Sequence, residues 1–282
     1  MERKTIVFKI QRYAPNQDKE PYFKSYEVPV EQGMTILECL WYIKENLDST
    51  ISFRSSCRMG ICGSCAMFIQ GRPRLACETQ TLELKSSTIE IKPLPNYDII
   101  KDLVVDQRNL FRNHKKVKPY IISEKATSNP TKEYIQSVAQ LEQYLQFNYC
   151  LKCGCCLAAC PTMATDTNFL GPQALAQAFR YNTDSRDRAG NARFQIVDTF
   201  EGIWRCHMAG ACSDACPKGV DPAMAIQLLK RHSIFGSRKE YSDYAGPLPK
   251  NRRPDIPDAP APTVKGARTN GRGNGKGKKG RR

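Results

Sequence analysis

Thirteen of the 282 residues are cysteine, and twelve of them fall into three groups, eleven at the spacing of metal ligands. The first group, SCRMGICGSCAMFIQGRPRLAC, sets Cys57, Cys62, Cys65 and Cys77 in the order C-x4-C-x2-C-x11-C. This is the plant-type spacing for a 2Fe-2S cluster. Gly60 and Gly63 allow the backbone to fold closely over such a group, so that amide N–H groups face anionic sulfur. Arg58 brings a positive charge into the same loop. A structural zinc site is the competing use of four thiolates. Zinc ligands usually arrive as two short C-x2-4-C knuckles, whereas here three share one loop and the fourth stands alone. Cys39 has no spacing partner and reads as a small buried apolar residue.

The second group, CLKCGCCLAACP, contains Cys150, Cys153, Cys156 and Cys160 followed by Pro161, in the order C-x2-C-x2-C-x3-C-P. In that pattern the fourth cysteine serves the other of two clusters, which requires a second copy. CHMAGACSDACP supplies it, with Cys206, Cys212, Cys216 and Pro217 in register and Ala209 where the second ligand belongs. Exchange of the fourth cysteine then expects Cys150, Cys153, Cys156 and Cys216 around a 4Fe-4S cluster. Cys160, Cys206 and Cys212 are left for a 3Fe-4S cluster, whose missing iron corresponds to the missing thiolate. Cys155 lies between ligand positions and is expected to be free. Three clusters on one chain make a path for electrons. No acid, base or nucleophile constellation for chemistry on a substrate accompanies them.

The net charge of +15 raises nucleic-acid binding, with structural metal sites, as an alternative function. Its distribution argues otherwise. Residues 250–282 hold 11 Lys/Arg against 2 Asp/Glu, so nine of the fifteen net charges sit in a Gly/Pro-rich tail. That tail is expected to be disordered, either merely solvated or in contact with anionic lipid. The odd number of cysteines, and a start, MERKTIVFKI, without the apolar run of a secretory signal, point to a reducing compartment. No run of 18 apolar residues is present to cross a bilayer.

The elements around the cysteines divide the chain. TIVFKIQRY and YFKSYEVPV read as paired strands, TILECLWYIKENL as a helix capped by Thr35, AMFIQ and RPRLAC as a hairpin about Gly71, and TIEIKPL as a last strand. Beyond Pro95 the pattern turns helical: YIQSVAQLEQYLQF, PQALAQAFRYN and DPAMAIQLLKRHSIF, the last with Asp221 as cap and Pro222 in the first turn. The expected class is α+β. A mixed 2Fe-2S unit spans residues 1–104, a helical dicluster unit 105–236, and the basic tail 237–282.

SCRMGICGSCAM, CLKCGCCLAACP, FLGPQALAQAFRYNTDSRD and WRCHMAGACSDACPKGVDP together resemble the iron-sulfur subunit of succinate dehydrogenase and fumarate reductase, over about residues 5 to 235. The resemblance implies a β-grasp ferredoxin domain followed by an all-helical dicluster ferredoxin-like domain. It also implies a flavoprotein partner carrying FAD, one or two membrane anchor subunits with or without haem b, and a quinone as electron acceptor. Carried over by position, Pro161, His207 and Lys230 become quinone-site candidates; without the resemblance they are a helix-capping proline, a solvent-facing histidine and a surface lysine. Many succinate:ubiquinone enzymes carry tryptophan four residues after this proline, where Thr165 stands here. YNTDSRD is similar to the fumarate reductase version, so quinol:fumarate reduction is the alternative to succinate oxidation. The absence of an Arg/Ser-rich transit segment places the expected complex at the cytoplasmic face of a prokaryotic membrane, with the matrix side of the mitochondrial inner membrane as alternative.

Overall fold

The computed structural model describes residues 4–123 and 133–236. The predicted tail lies outside these residues. Strands β1 (Lys4–Arg12) and β2 (Tyr22–Val30) pair antiparallel, with Lys4 opposite Val30 and Arg12 opposite Tyr22. Alternate β-branched and aromatic residues put Ile6, Phe8 and Ile10 inside. Helix α1 (Ile36–Tyr42) opens on a capping box: Thr35 accepts from the Glu38 N–H, and the Glu38 carboxylate accepts from the Thr35 N–H. It continues into a π-turn at Ile43–Leu47. Strands β3 (Ala66–Ile69) and β4 (Arg72–Leu75) form the hairpin about Gly71, and β5 (Thr88–Lys92) runs parallel to β1 in the sheet centre. The strand order β2-β1-β5-β3-β4 around one helix is the β-grasp arrangement.

A small hairpin of β6 (Ile99–Lys101) and β7 (Val104–Val105) leads into helices α2 (Arg108–Lys116), α3 (Val138–Glu142), α4 (Leu145–Asn148), α5 (Cys155–Ala158) and α6 (Pro161–Thr165). The remaining helices are α7 (Pro172–Thr183), α8 (Gly190–Val197), α9 (Ala211–Asp214) and α10 (Pro222–Phe235). Pro161, Pro172 and Pro222 each occupy a first helical turn, where the missing N–H costs nothing. The stretch 134–147, expected as one helix, is two. Tyr144 leaves helical geometry at φ −128, buries its ring completely and donates its hydroxyl to Gln136, so burial of one side chain outweighs helix continuity.

Two apolar cores result. One gathers residues of β1–β5 and α1; the other is built from α2, α4 and α7–α10. Cys153, Cys155 and Ala158 belong to the first core although they lie in the second half of the chain, which makes α5 the joint between the two. Three further contacts lock that joint. The Asn96 side-chain amide donates to the Leu157, Ala158 and Cys160 carbonyls at 2.9, 3.1 and 3.1 Å. The Tyr97 hydroxyl donates to the Gly154 carbonyl. Gly63 packs on Cys153 so closely that a Cβ there would lie 2.7 Å from the Cys153 Cβ.

Candidate electron-transfer centre

In the first loop the chain turns its amides onto sulfur. Cys57 Sγ accepts from the N–H groups of Met59, Ile61 and Cys62 at 3.5, 3.3 and 3.2 Å. Cys77 Sγ accepts from Gly60 N–H at 3.2 Å, and Cys62 Sγ from Ser64 N–H at 3.5 Å. The Cys65 and Cys77 sulfurs are 3.3 Å apart. Backbone donors converging on sulfur are the surroundings a thiolate-held anionic group needs. Burial works against ionising Cys62, yet donors from Ser64 and Cys57 outweigh it and bring that thiol down to about 6. Burial, with Cys77 beside it, pushes Cys65 up to about 12. The Arg58 guanidinium stacks over Trp41 at 5.6 Å. Met59 and Ile61, at the loop tip, are 70% and 60% exposed.

The two C-terminal cysteine segments share one backbone design. Lys152 and Met208 both take left-handed φ, at 57 and 61, and so do Gly154 and Gly210, at 89 and 74. One short helix follows each glycine, and Cys160 N–H and Cys216 N–H close equivalent turns onto Leu157 and Ser213 carbonyls. The repeat read in the sequence is therefore also a repeat of conformation.

Burial pushes the Cys156 thiol well up, and the charges of Cys150, Cys153, Cys216 and Cys212 add to it in that order. Burial raises Cys216 to about 11, with Cys153 and Cys150 as its charged neighbours. Burial likewise raises Cys212 to about 12, and there the neighbours are Cys160 and Cys206. Cys216 thus sits with the first segment and Cys160 with the second. Buried thiols such as Cys156, Cys212 and Cys216, which resist ionisation beside one another, favour cations among them; iron in place of the protons would relieve the repulsion, and this donor set suits that group. Among the described residues, no three His, Cys, Asp or Glu side chains converge as for a single metal ion. Cys155 is fully buried, and its hydrogen bond to Cys153 raises its own thiol and lowers that of Cys153. Cys39 is fully buried in the first core.

The other residues singled out from the sequence are His207, next to Cys206, Pro161 and Thr165 on α6, and Lys230 on α10. His207, Pro161 and Thr165 are exposed, and Pro161 opens α6 directly after Cys160. Arg205 pairs with Asp166 at 2.7 Å, tying the end of α6 to this loop. Lys230 is no free surface lysine: its ammonium donates to the Cys206 carbonyl at 3.0 Å and lies 5.8 Å from the Trp204 ring centre. Trp204, 42% exposed, donates to Asp198, which also accepts from Ser233. Phe200, Met208, Ile234 and Phe235 are more exposed still. Sequence reasoning passed over Trp204, Asn96 and Gln173. The Gln173 amide lies 3.9 Å from Cys150 Sγ and 3.2 Å from His114 Nδ1. An aromatic residue two positions before a ligand and an Asn after Pro95 were visible signals; nothing local marks Gln173.

Two family models match. A 2Fe-2S iron-sulfur cluster binding domain covers residues 7–112, and a 4Fe-4S dicluster domain covers residues 146–220. The chain is 44% identical over 225 residues to the fumarate reductase iron-sulfur subunit of Mycobacterium tuberculosis, covering 80% of this chain and 91% of that one. It is 39% identical over 229 residues to the succinate dehydrogenase iron-sulfur subunit of Paracoccus denitrificans, covering 80% and 87%. In fold it is similar to a chain of the Mycobacterium smegmatis Sdh1 complex, with TM-score 0.75, 20% identity, and coverage of 82% of this chain and 96% of that one. The two ferredoxin-type units, in this order and at this identity over most of the chain, mean that it belongs to the iron-sulfur subunits of the succinate dehydrogenase and fumarate reductase family, the electron-transfer component of an enzyme complex.

Proposed function

We propose that the chain carries electrons from the flavin of a succinate-oxidising flavoprotein subunit to membrane quinone, through three clusters in series. Residues 1–104 form the first unit, with Cys57, Cys62, Cys65 and Cys77 holding a 2Fe-2S cluster. Residues 105–236 form the second, with Cys150, Cys153, Cys156 and Cys216 holding a 4Fe-4S cluster and Cys160, Cys206 and Cys212 a 3Fe-4S cluster. When bound, these clusters supply one-electron carriers. The observation that supports the assignment is the repeated backbone of the two segments, with Cys216 beside Cys150 and Cys153 and Cys160 beside Cys212.

The protein's own part is spacing, insulation and docking. Gly63 against Cys153 brings the first loop onto the second sulfur group. The exposed Met59 and Ile61 offer the flavoprotein an apolar contact at the 2Fe-2S loop. At the other group, Phe200, Trp204, Met208 and the end of α10 present apolar surface to one or two anchor subunits, with or without haem b. Pro161, His207 and Lys230 border the quinone there, His207 as the group able to exchange a proton with a quinone oxygen. Among the described residues no helix is long and apolar enough to cross a membrane, and the complex is assigned to the cytoplasmic face of a prokaryotic membrane.

The same path run backwards serves quinol:fumarate reduction. Thr165 and the 44% identity to a fumarate reductase subunit favour that second reading. Purification of the intact complex tests the first: succinate should reduce its clusters and then an added quinone. Cluster reduction by quinol and reoxidation by fumarate, with no detectable reduction by succinate, would replace it with the second.

A further inference from the structure

Glu78 and Lys218 stand 140 residues apart and form an ion pair across the two units. Glu78 directly follows Cys77, and Lys218 comes two residues after Cys216. The carboxylate lies under the first loop, where a Cβ added to Gly60 would fall 1.9 Å from its Oε1. Gly60 in turn donates its N–H to Cys77 Sγ. On the other side, the Lys218 backbone donates to the Cys216 sulfur. The side chains are 32% and 25% exposed, so solvent screens these charges only in part. The acidic partner is joined to the first sulfur group through Cys77 and the Gly60 loop, and the basic partner is joined to the second through its own backbone at Cys216.

We propose that this ion pair biases electron transfer toward the second cluster. The Glu78 carboxylate disfavours an added electron at the 2Fe-2S site, and the Lys218 ammonium favours one at the 4Fe-4S site. The proposal rests on the ligand assignment above. One electron leaves the reduced first cluster and arrives on the oxidised second, with no proton or bond exchanged, so fixed charges joined to the two sites change the driving force without reacting. Glu78 also reaches Cys153, where its charge opposes ionisation. On its own it penalises the second cluster as well, and Lys218 beside Cys216 is what separates the two. A latch alone is already provided by Asn96, Tyr97 and the Gly63 contact.

The test is a redox titration of the purified complex followed by electron paramagnetic resonance, on the unaltered chain, Glu78→Gln, Lys218→Met and the doubly swapped Glu78→Lys/Lys218→Glu. Glu78→Gln should raise the 2Fe-2S potential more than the 4Fe-4S potential, and Lys218→Met should lower the 4Fe-4S potential more. The swap keeps the ion pair and reverses the charges, so it should lower the 4Fe-4S potential relative to the 2Fe-2S potential. A swapped complex with the original gap between the two, or single variants that move both potentials alike or neither, overturns the bias and leaves a latch. A complex of the unaltered chain that lacks either cluster signal overturns the ligand assignment as well.

Discussion

Replacing Asn96 by alanine should loosen the joint between the units by an amount the structure allows to be worked out. The side-chain amide reaches the carbonyls of Leu157, Ala158 and Cys160 where α5 ends; of these, Leu157 and Cys160 also accept from the N–H groups of Cys160 and Ala164. Two N–H groups serve three acceptors, and a net worth of about 1 kcal/mol for each donor gives about 2 kcal/mol. Asn96 also holds left-handed φ at 66, a conformation that disfavours alanine by about 1 kcal/mol more. The local total of about 3 kcal/mol corresponds to exchange about a hundredfold faster at amides that open with this segment. Hydrogen exchange of the assembled complex reads it at Ala158, Ala159 and Cys160, whose N–H groups close the α5 turns, with β1 and β2 unchanged. Asn96→Gly should recover the backbone part and exchange about fivefold more slowly than Asn96→Ala. Asn96→Asp sets a carboxylate against carbonyls and should exchange at least as fast as alanine. Exchange at Ala158–Cys160 within about threefold of the original, or an equal rise throughout the molecule, refutes the clamp.

The other perturbations act at the sulfur groups. Gly63→Ala forces a Cβ to within 2.7 Å of Cys153 at φ +74, so the loops must part; a loss on the order of 2 kcal/mol should appear as a lower thermal midpoint, with less of the first two clusters retained. An unchanged midpoint and unchanged iron content would contradict the close approach. In apoprotein, alkylation mapped by mass spectrometry should find Cys62 half reactive near pH 6 and thiolate above it, since its pKa is lowered to about 6, while Cys65, raised to about 12, stays a thiol through neutral pH. Equal rates at the two sites would contradict that order. His207→Ala should cut quinone reduction by succinate at least about tenfold and leave reduction of a soluble dye by succinate unchanged; equal loss in both assays removes His207 from the quinone site.

Much of the first unit was legible because its signals are local. Alternation in TIVFKIQRY and YFKSYEVPV fixes which faces are buried, and Thr35 with Glu38 marks a helix start by capping chemistry alone. The cysteine repeat was legible as a repeat because ligand spacing is a chemical constraint, and the backbone repeats with it at Lys152 and Met208 and at Gly154 and Gly210. What escaped is held by distant contacts. The helix α8 opens on Gly-Asn, a poor start, and is fixed by fully buried Arg193 paired with Asp187 and with the carbonyls of Val117 and Tyr120. The break at Tyr144 has the same origin, a buried ring whose partner lies eight residues away. Lys230 read as a surface residue because no pattern in α10 reports the Cys206 carbonyl that it reaches. The joint at α5 was hidden for a similar reason: its partners, Asn96 and Gly63, lie in the other half of the chain.

The central claim, three clusters in series with an incomplete third because Ala209 replaces a thiolate, has one most direct measurement. Electron paramagnetic resonance of the purified, fully oxidised complex should show a 3Fe-4S signal, with 2Fe-2S and 4Fe-4S signals appearing only on reduction. In Ala209→Cys the oxidised signal should vanish and about one more iron per chain should be retained. An unaltered complex with no oxidised 3Fe-4S signal, or one whose signal persists at full strength in Ala209→Cys, contradicts the account.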